Sequence, residues 1–242
     1  LEEVLKIVAV VLAITVGFTI AGVAGFGGGV VALPVLVWVF GVREAIPILS
    51  ISQVLSTVSR VWLHREGIDW KVVRFFVIGG LPFSVLGSFF FVSIDTTLLV
   101  RILGVMMLFF VVYTHLPIGR NFNMKPWGFI PLGAGTGFGS AFLGIPGPFA
   151  AAFYLAYGLA AGAYISTSAL GMGMIQVPKL IIFGTSDLLT MRVLALGIGL
   201  GAIAAGSAFL GKIILNRVPE KVFPRIITTM LLISGVVLLV RG

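Results

Sequence analysis

The sequence contains no cysteine and only two histidines, His64 and His115. Without cysteine there are no disulfides, no thiolate metal sites and no cysteine nucleophile. Two histidines are too few for a histidine-based metal cluster, so neither a metal nor a cofactor is expected. Charge is scarce as well: 10% of the 242 residues are charged, against roughly 25% in a soluble domain. Acidic side chains are scarcest of all, eight Asp and Glu against sixteen Lys and Arg. They fall in the connections and at the N-terminus, which argues against a buried carboxylate proton relay and against a carboxylate cation site. With no cysteine nucleophile, histidine cluster or paired intramembrane carboxylate, the chain is not expected to be an enzyme.

What is abundant is apolar, 59% of the residues. No soluble fold of this length hides so much apolar surface, but a bilayer does, because its core is as apolar as the side chains. The formal charge of +8 then reads as the positive-inside bias of membrane connections. Nucleic-acid binding would need a solvated basic face, so nucleic acid is not an expected partner; the lipid bilayer is. The run Val4–Ala24 is too long for the apolar region of a signal peptide and lacks a small-residue cleavage pattern, so it is read as a first membrane segment.

Apolar runs follow at Leu5–Ala24, Val30–Phe40, Ala45–Leu63, Phe75–Val92, Leu98–Thr114, Trp127–Leu143, Pro148–Tyr157, Ala163–Phe183, Val193–Leu210 and Arg225–Val240. Crossing the hydrocarbon core takes about 20 helical residues. Val30–Phe40 and Pro148–Tyr157 are too short, each reaching roughly 15 Å at 1.5 Å per residue. Each follows a Gly- or Pro-rich break, which marks it as a half-helix of a broken or re-entrant segment.

The two halves match at a shift of 118 to 124 residues: Gly25 on Gly144, Gly28 on Gly147, Arg60 on Lys179, Asp69 and Arg74 on Asp187 and Arg192, and Arg101 on Arg225. The charged pairs carry most weight, because charges are few. The expected fold is an all-α polytopic membrane protein of two repeats, 1–118 and 127–242, of about five helical segments each, joined by a basic linker, 119–126. Placing the connections around 63–74, 115–126 and 212–225 on the cytoplasmic side puts nine basic residues there and five opposite. The repeat-equivalent connections 63–74 and 184–192 then lie on opposite sides, which makes the repeat an inverted one. Such repeats bind substrate near the midplane, between the halves.

The strongest local signal is the run Gly22-Val23-Ala24-Gly25-Phe26-Gly27-Gly28-Gly29, with Pro34 five residues on. Glycine permits turns closed to other residues and lets a ligand approach the main chain. A helix starting after such a break offers unpaired N–H groups and the positive end of its dipole to an anion. Close helix packing through small residues is the competing reading. The second-half counterpart, Gly144-Ile145-Pro146-Gly147-Pro148, has fewer N–H groups to offer, and either binds substrate or merely shapes the path. Arg60 and Lys179 lie inside apolar segments, where a charge costs about 2.5–3.5 kcal/mol on insertion scales and marks a functional site; snorkelling is the alternative. Ser50, Gln53, Ser166, Thr167 and Gln176 share these segments. Their hydroxyls and amides either line a cavity or bond back to their own helices. Asp69 is expected to cap a helix and Trp70 to sit at the membrane interface.

The run Gly25-Phe26-Gly27-Gly28-Gly29 with Pro34, the connection Arg65-Glu66-Gly67-Ile68-Asp69-Trp70, the start Gly144-Ile145-Pro146-Gly147 and the run Ser166-Thr167-Ser168 resemble the sulfite exporter TauE/SafE family. The resemblance extends over nearly the whole chain. It implies a multi-pass protein of the cell (inner) membrane that moves sulfite or small organosulfonates, usually outward, through a duplicated helix bundle. It departs from the family where Pro146 and Pro148 flank Gly147 instead of a second glycine run. The expected function is secondary transport of a small oxyanion. Alternatives are a carrier of another small anion, such as a carboxylate, and an anion channel. The expected partners are the small anion and the bilayer, with a homodimer left open.

Overall fold

In hydrocarbon, backbone polar groups must find partners within the chain, and a helix supplies them all. The structure, a computed structural model, describes residues 2–25, 28–115, 124–143, 150, 153–154, 156–214 and 236. These form eight α-helices and no strand: α1 Glu2–Ala24, α2 Gly28–Phe40, α3 Val42–Leu63, α4 Trp70–Ser93, α5 Thr96–His115, α6 Phe129–Leu143, α7 Ala161–Thr185 and α8 Met191–Ile214. Five of them, α1, α3, α4, α7 and α8, are long and apolar enough to cross a membrane. The second short run and the last apolar run, Pro148–Tyr157 and Arg225–Val240, lie largely outside the described residues.

The helices overrun the apolar runs where a cap extends them. Asp69 accepts from the N–H groups of Lys71 and Val72 at 2.9 and 3.0 Å, so α4 starts at Trp70 instead of Phe75. Two orphan donors of the first turn are thereby satisfied. Trp70 itself is exposed. The glycine run interrupts the helix: α1 stops at Ala24, Gly25 adopts a φ of 75°, and α2 begins at Gly28. At 13 residues, α2 is about 20 Å long and falls short of the hydrocarbon thickness.

Contacts fix the directions of the helices. Gln53 meets Gln176, Thr57 lies against Gly173, and Gly162 lies by His64, so α3 and α7 run antiparallel. Gly197 packs on Ile51 and Gly201 on Leu55, so α3 and α8 are parallel. Phe76 meets Gly171 and Ser84 donates to the Ile175 carbonyl at 2.6 Å, so α4 and α7 are parallel. The close glycine seam of Gly79, Gly80 and Gly87 against Ile130, Gly133, Gly137 and Phe138 makes α4 and α6 parallel. Packing partners interchange between the halves: α4 takes α6 and α7, while α8 takes α1 and α3.

The connections gather at two ends. At one, the Asp69 N–H donates to Thr167 Oγ1 at 2.9 Å, the Met124 N–H to the Ala156 carbonyl at 3.3 Å, and Gly67 lies against Ala163. At the other, Arg43 Nη1 donates to the Phe91 and Val92 carbonyls at 3.1 and 3.0 Å, and its Nη2 to the Ile94 carbonyl. A 3.6 Å ion pair joins Arg192 to Glu44 at that end. One buried apolar cluster, around Ile14, Phe18, Leu33 and Phe91, underlies this second end. The other, around Phe76, Phe129, Tyr154 and Tyr164, underlies the first.

Candidate anion site at the helix break

A helix that ends inside a protein leaves its last carbonyls without intrahelical donors, and the dipole makes that end negative. Each half answers this with a cation from the membrane segment that follows. Arg60 on α3 donates from Nη1 to the Gly25 carbonyl at 2.9 Å, just past the end of α1. Lys179 on α7 donates from Nζ to the Ser140 carbonyl at 3.2 Å, in the last turn of α6. Arg60 is 6% exposed and Lys179 0%. The distance from each to its segment's end does not translate into snorkelling.

The guanidinium has more donors than partners. Its Nη2 donates to Thr57 Oγ1 at 3.2 Å, and its Nε is buried with no hydrogen-bond partner. Arg60 and Lys179 form no ion pair with a carboxylate of the described residues. A full positive charge taken out of water without a counter-charge is costly, and a bound anion relieves that cost.

Around the break, Gly25 faces the Tyr164 ring of α7 so closely that a Cβ would stand 2.7 Å from Cε1. Its positive φ is itself disfavoured for a residue with a Cβ, so glycine is required here twice over. Part of the run serves packing: the position a Cβ of Gly22 would take is filled by the Ala208 backbone, and that of Gly28 by the Phe18 ring. Gly29 is buried in the first turn of α2.

The polar residues of the segments divide. Ser50 donates to the Ile46 carbonyl at 2.6 Å and Ser166 to the Gly162 carbonyl at 3.1 Å, each within its own helix. Thr167 accepts from the Asp69 N–H and so ties the connection before α4 to α7. Gln53 and Gln176 meet across the α3–α7 seam, the Gln176 amide donating to the Gln53 carbonyl oxygen. On α3, Gln53, Ser56, Thr57 and Arg60 follow helical spacing along one buried stripe. Phe26, Gly27, Gly144 and Gly147 lie outside the described residues. Two of the acceptors, the Gly25 and Ser140 main-chain carbonyls, carry no sequence signal. Tyr164 was equally unmarked, one aromatic among many.

One turn beyond Arg60, at the first end of the bundle, an open cavity of about 340 Å³ lies between the end of α3 and the start of α7. Trp62, His64, Arg65, Gly67, Gly162 and Ala163 are among its lining residues. The start of α7 has no side-chain cap, so its positive end faces a cavity that holds both Arg65 and Glu66.

The sequence model of the family described as "Sulfite exporter TauE/SafE" matches residues 9–238. The chain belongs to the sulfite exporter TauE/SafE family. The family is one of membrane transporters of sulfite-type anions, and the membrane-length helices found here accord with that. No curated protein and no solved structure matches the chain.

Proposed function

We propose that the protein is a secondary transporter that exports a small oxyanion, such as sulfite or an organosulfonate, across the inner membrane, with no cofactor. The observation that carries this reading is the buried guanidinium of Arg60, held at the glycine break with no carboxylate partner among the described residues and one N–H unmatched. A pocket that already stabilises positive charge by main-chain carbonyls gains most from a ligand of negative charge. The guanidinium presents fixed, planar donors that suit an oxyanion, and it stays charged at any physiological pH.

In this reading the anion enters through the cavity above Arg60 and binds against Nε and the main-chain amides that follow Gly25 in the break through Gly29, the Gly25 N–H itself being bonded to the Ala21 carbonyl at 3.0 Å. The hydroxyls of the α3 stripe complete its coordination, Gln53 and Gln176 border it where they meet across the α3–α7 seam, and Lys179 supplies the matching charge in the second half. Thr167 accepts from the Asp69 N–H and keeps its own O–H to donate; Ser50 and Ser166, whose O–H groups are committed to carbonyls of their own helices, contribute by shaping the seam. Gly144 and Gly147 form the second-half arm.

We further infer that the repeats 1–118 and 127–242, joined by 119–126, have inverted topology. Support comes from the helix directions: α3 and α7 are antiparallel, α4 and α8 lie parallel to the opposite partner of that pair, and packing partners interchange between halves. Two such halves exchange inward- and outward-open states of similar energy, which is what alternating access requires.

The test is flux of labelled sulfite in proteoliposomes. A carrier gives saturable flux, inhibited by organosulfonates more strongly than by small carboxylates. Flux that rises without saturation, with conductance in bilayer recordings, would instead establish a channel. Flux of carboxylates alone would reassign the substrate.

A further inference from the structure

Two turns along α3 from the cation, where Gln53 meets Gln176, the α3–α7 seam holds a group of the opposite hydrogen-bonding character. Gln176 is 1% exposed. Its amide nitrogen is committed to Gln53, while its carbonyl oxygen, Oε1, is buried without a partner. One turn along the partner helix, the buried Ser56 hydroxyl also lacks a partner, and Arg60 Nε is the third unmatched atom of this stripe. The three belong together in the fold: Ser56 and Arg60 share the stripe with Gln53 and Thr57, and Thr57 lies against Gly173, one turn before Gln176. A simple oxyanion satisfies the guanidinium and the hydroxyl but offers nothing to Oε1, because it only accepts. Buried polar atoms left unpaired are costly, and a site built to pair one discriminates against ligands that fail to do so.

We propose that Gln176 is a specificity-determining residue that selects, among small monoanions, those carrying a hydrogen-bond donor: a protonated oxyanion such as hydrogensulfite, or a hydroxy- or aminosulfonate. This inference rests on the anion-transport reading and assigns the second half of the substrate's chemistry. Arg60 Nε takes the anionic oxygens; Gln176 Oε1 takes the O–H or N–H; Ser56, donor and acceptor in one, sits between. For sulfite the transported species is then the singly protonated form, and its proton crosses with it. The membrane segments need no carboxylate relay for that.

The experiment uses the full chain in proteoliposomes and a matched pair of sulfonates, 2-hydroxyethanesulfonate and ethanesulfonate. They have the same charge and nearly the same size, and only the first carries a donor. Each is titrated against labelled sulfite flux. The expected result is that the hydroxy compound inhibits at least about tenfold more strongly in the wild type. In Gln176→Met sulfite flux should itself weaken, and this preference should collapse to near equality as the inhibition constant of the hydroxy compound rises to that of ethanesulfonate. Equal inhibition of the wild type by both compounds would overturn the proposal while leaving anion transport intact, and that arm needs no variant to fold. Full preference retained in Gln176→Met would overturn the assignment to Gln176. Absence of any sulfite flux in the wild type would instead remove the transport reading itself.

Discussion

The two buried cations do the same structural job with different means. In the first half a guanidinium meets the end of α1, donating to the Gly25 carbonyl and to Thr57 while Nε stays unmatched. In the second half an ammonium meets the end of α6 with a bond to the Ser140 carbonyl. An ammonium is a compact point charge on a flexible stem, suited to capping carbonyls; a guanidinium is a planar fork that serves a carbonyl and an oxyanion at once. The first half also has the glycine-rich break with its main-chain amides, where the second half has Pro146 and Pro148, which have none to give. In the proposed mechanism, substrate contact therefore falls chiefly to the first half, and Lys179 serves chiefly as a helix-end cap.

The comparison breaks most severely at Gly25. Gly25→Ala forces a Cβ into the left-handed region, at about 1–2 kcal/mol, and into the Tyr164 ring, at about 1–3 kcal/mol of overpacking. The variant should lose several degrees of thermal stability in detergent and essentially all sulfite flux. Wild-type melting and flux would show that the break is not needed. Next in size, Arg60→Gln should lower sulfite flux at subsaturating concentration by about 10²-fold, the loss of a charge-assisted bond in a buried site. Lys179→Gln should lower it by less than about tenfold, with a larger share of its effect on melting temperature than Arg60→Gln shows. Equal flux losses in both variants would make the halves functionally equivalent.

A smaller effect is expected from Gln53→Leu. It removes the bond across the α3–α7 seam and leaves the Gln176 amide unpaired, costing about 1–3 kcal/mol, seen as a lower midpoint in thermal or denaturant unfolding. No change there would mean that the seam is held by packing alone. The smallest is Asp69→Ala, which removes the α4 cap without touching either cation. It should cost about 1 kcal/mol, seen as lower thermal stability, and leave the apparent affinity for sulfite unchanged. A changed affinity would show that the connection before α4 reports on the site.

Much of the fold was legible because membrane helices announce themselves by length and apolarity. The ends of α1, α2, α3 and α6 fall where the apolar runs end, and the interruption at Gly25 fell within the glycine run. The start of α4 was missed by five residues, because Asp69 caps the helix before its apolar part begins. The candidate site was legible in part. Arg60, Lys179, Gln53 and Gln176 stood out as polar groups in apolar segments. What they bond to did not, since Gly25 and Ser140 offer only carbonyls and the pairing of Gln53 with Gln176 spans 123 positions. Ser50 and Ser166 were equally conspicuous in sequence, yet donate to carbonyls of their own helices. A hydroxyl facing a cavity and one bonded back to its own helix look the same in one dimension.

The central claim is that a guanidinium at a helix break, with no carboxylate partner among the described residues, binds a small oxyanion. Titration calorimetry of the detergent-solubilised protein with sulfite, wild type beside Arg60→Gln, tests it most directly. The account predicts saturable binding to the wild type, weakened by about 10²-fold in the variant while its melting temperature shows it still folded. Sulfite binding of equal strength to both proteins would contradict it.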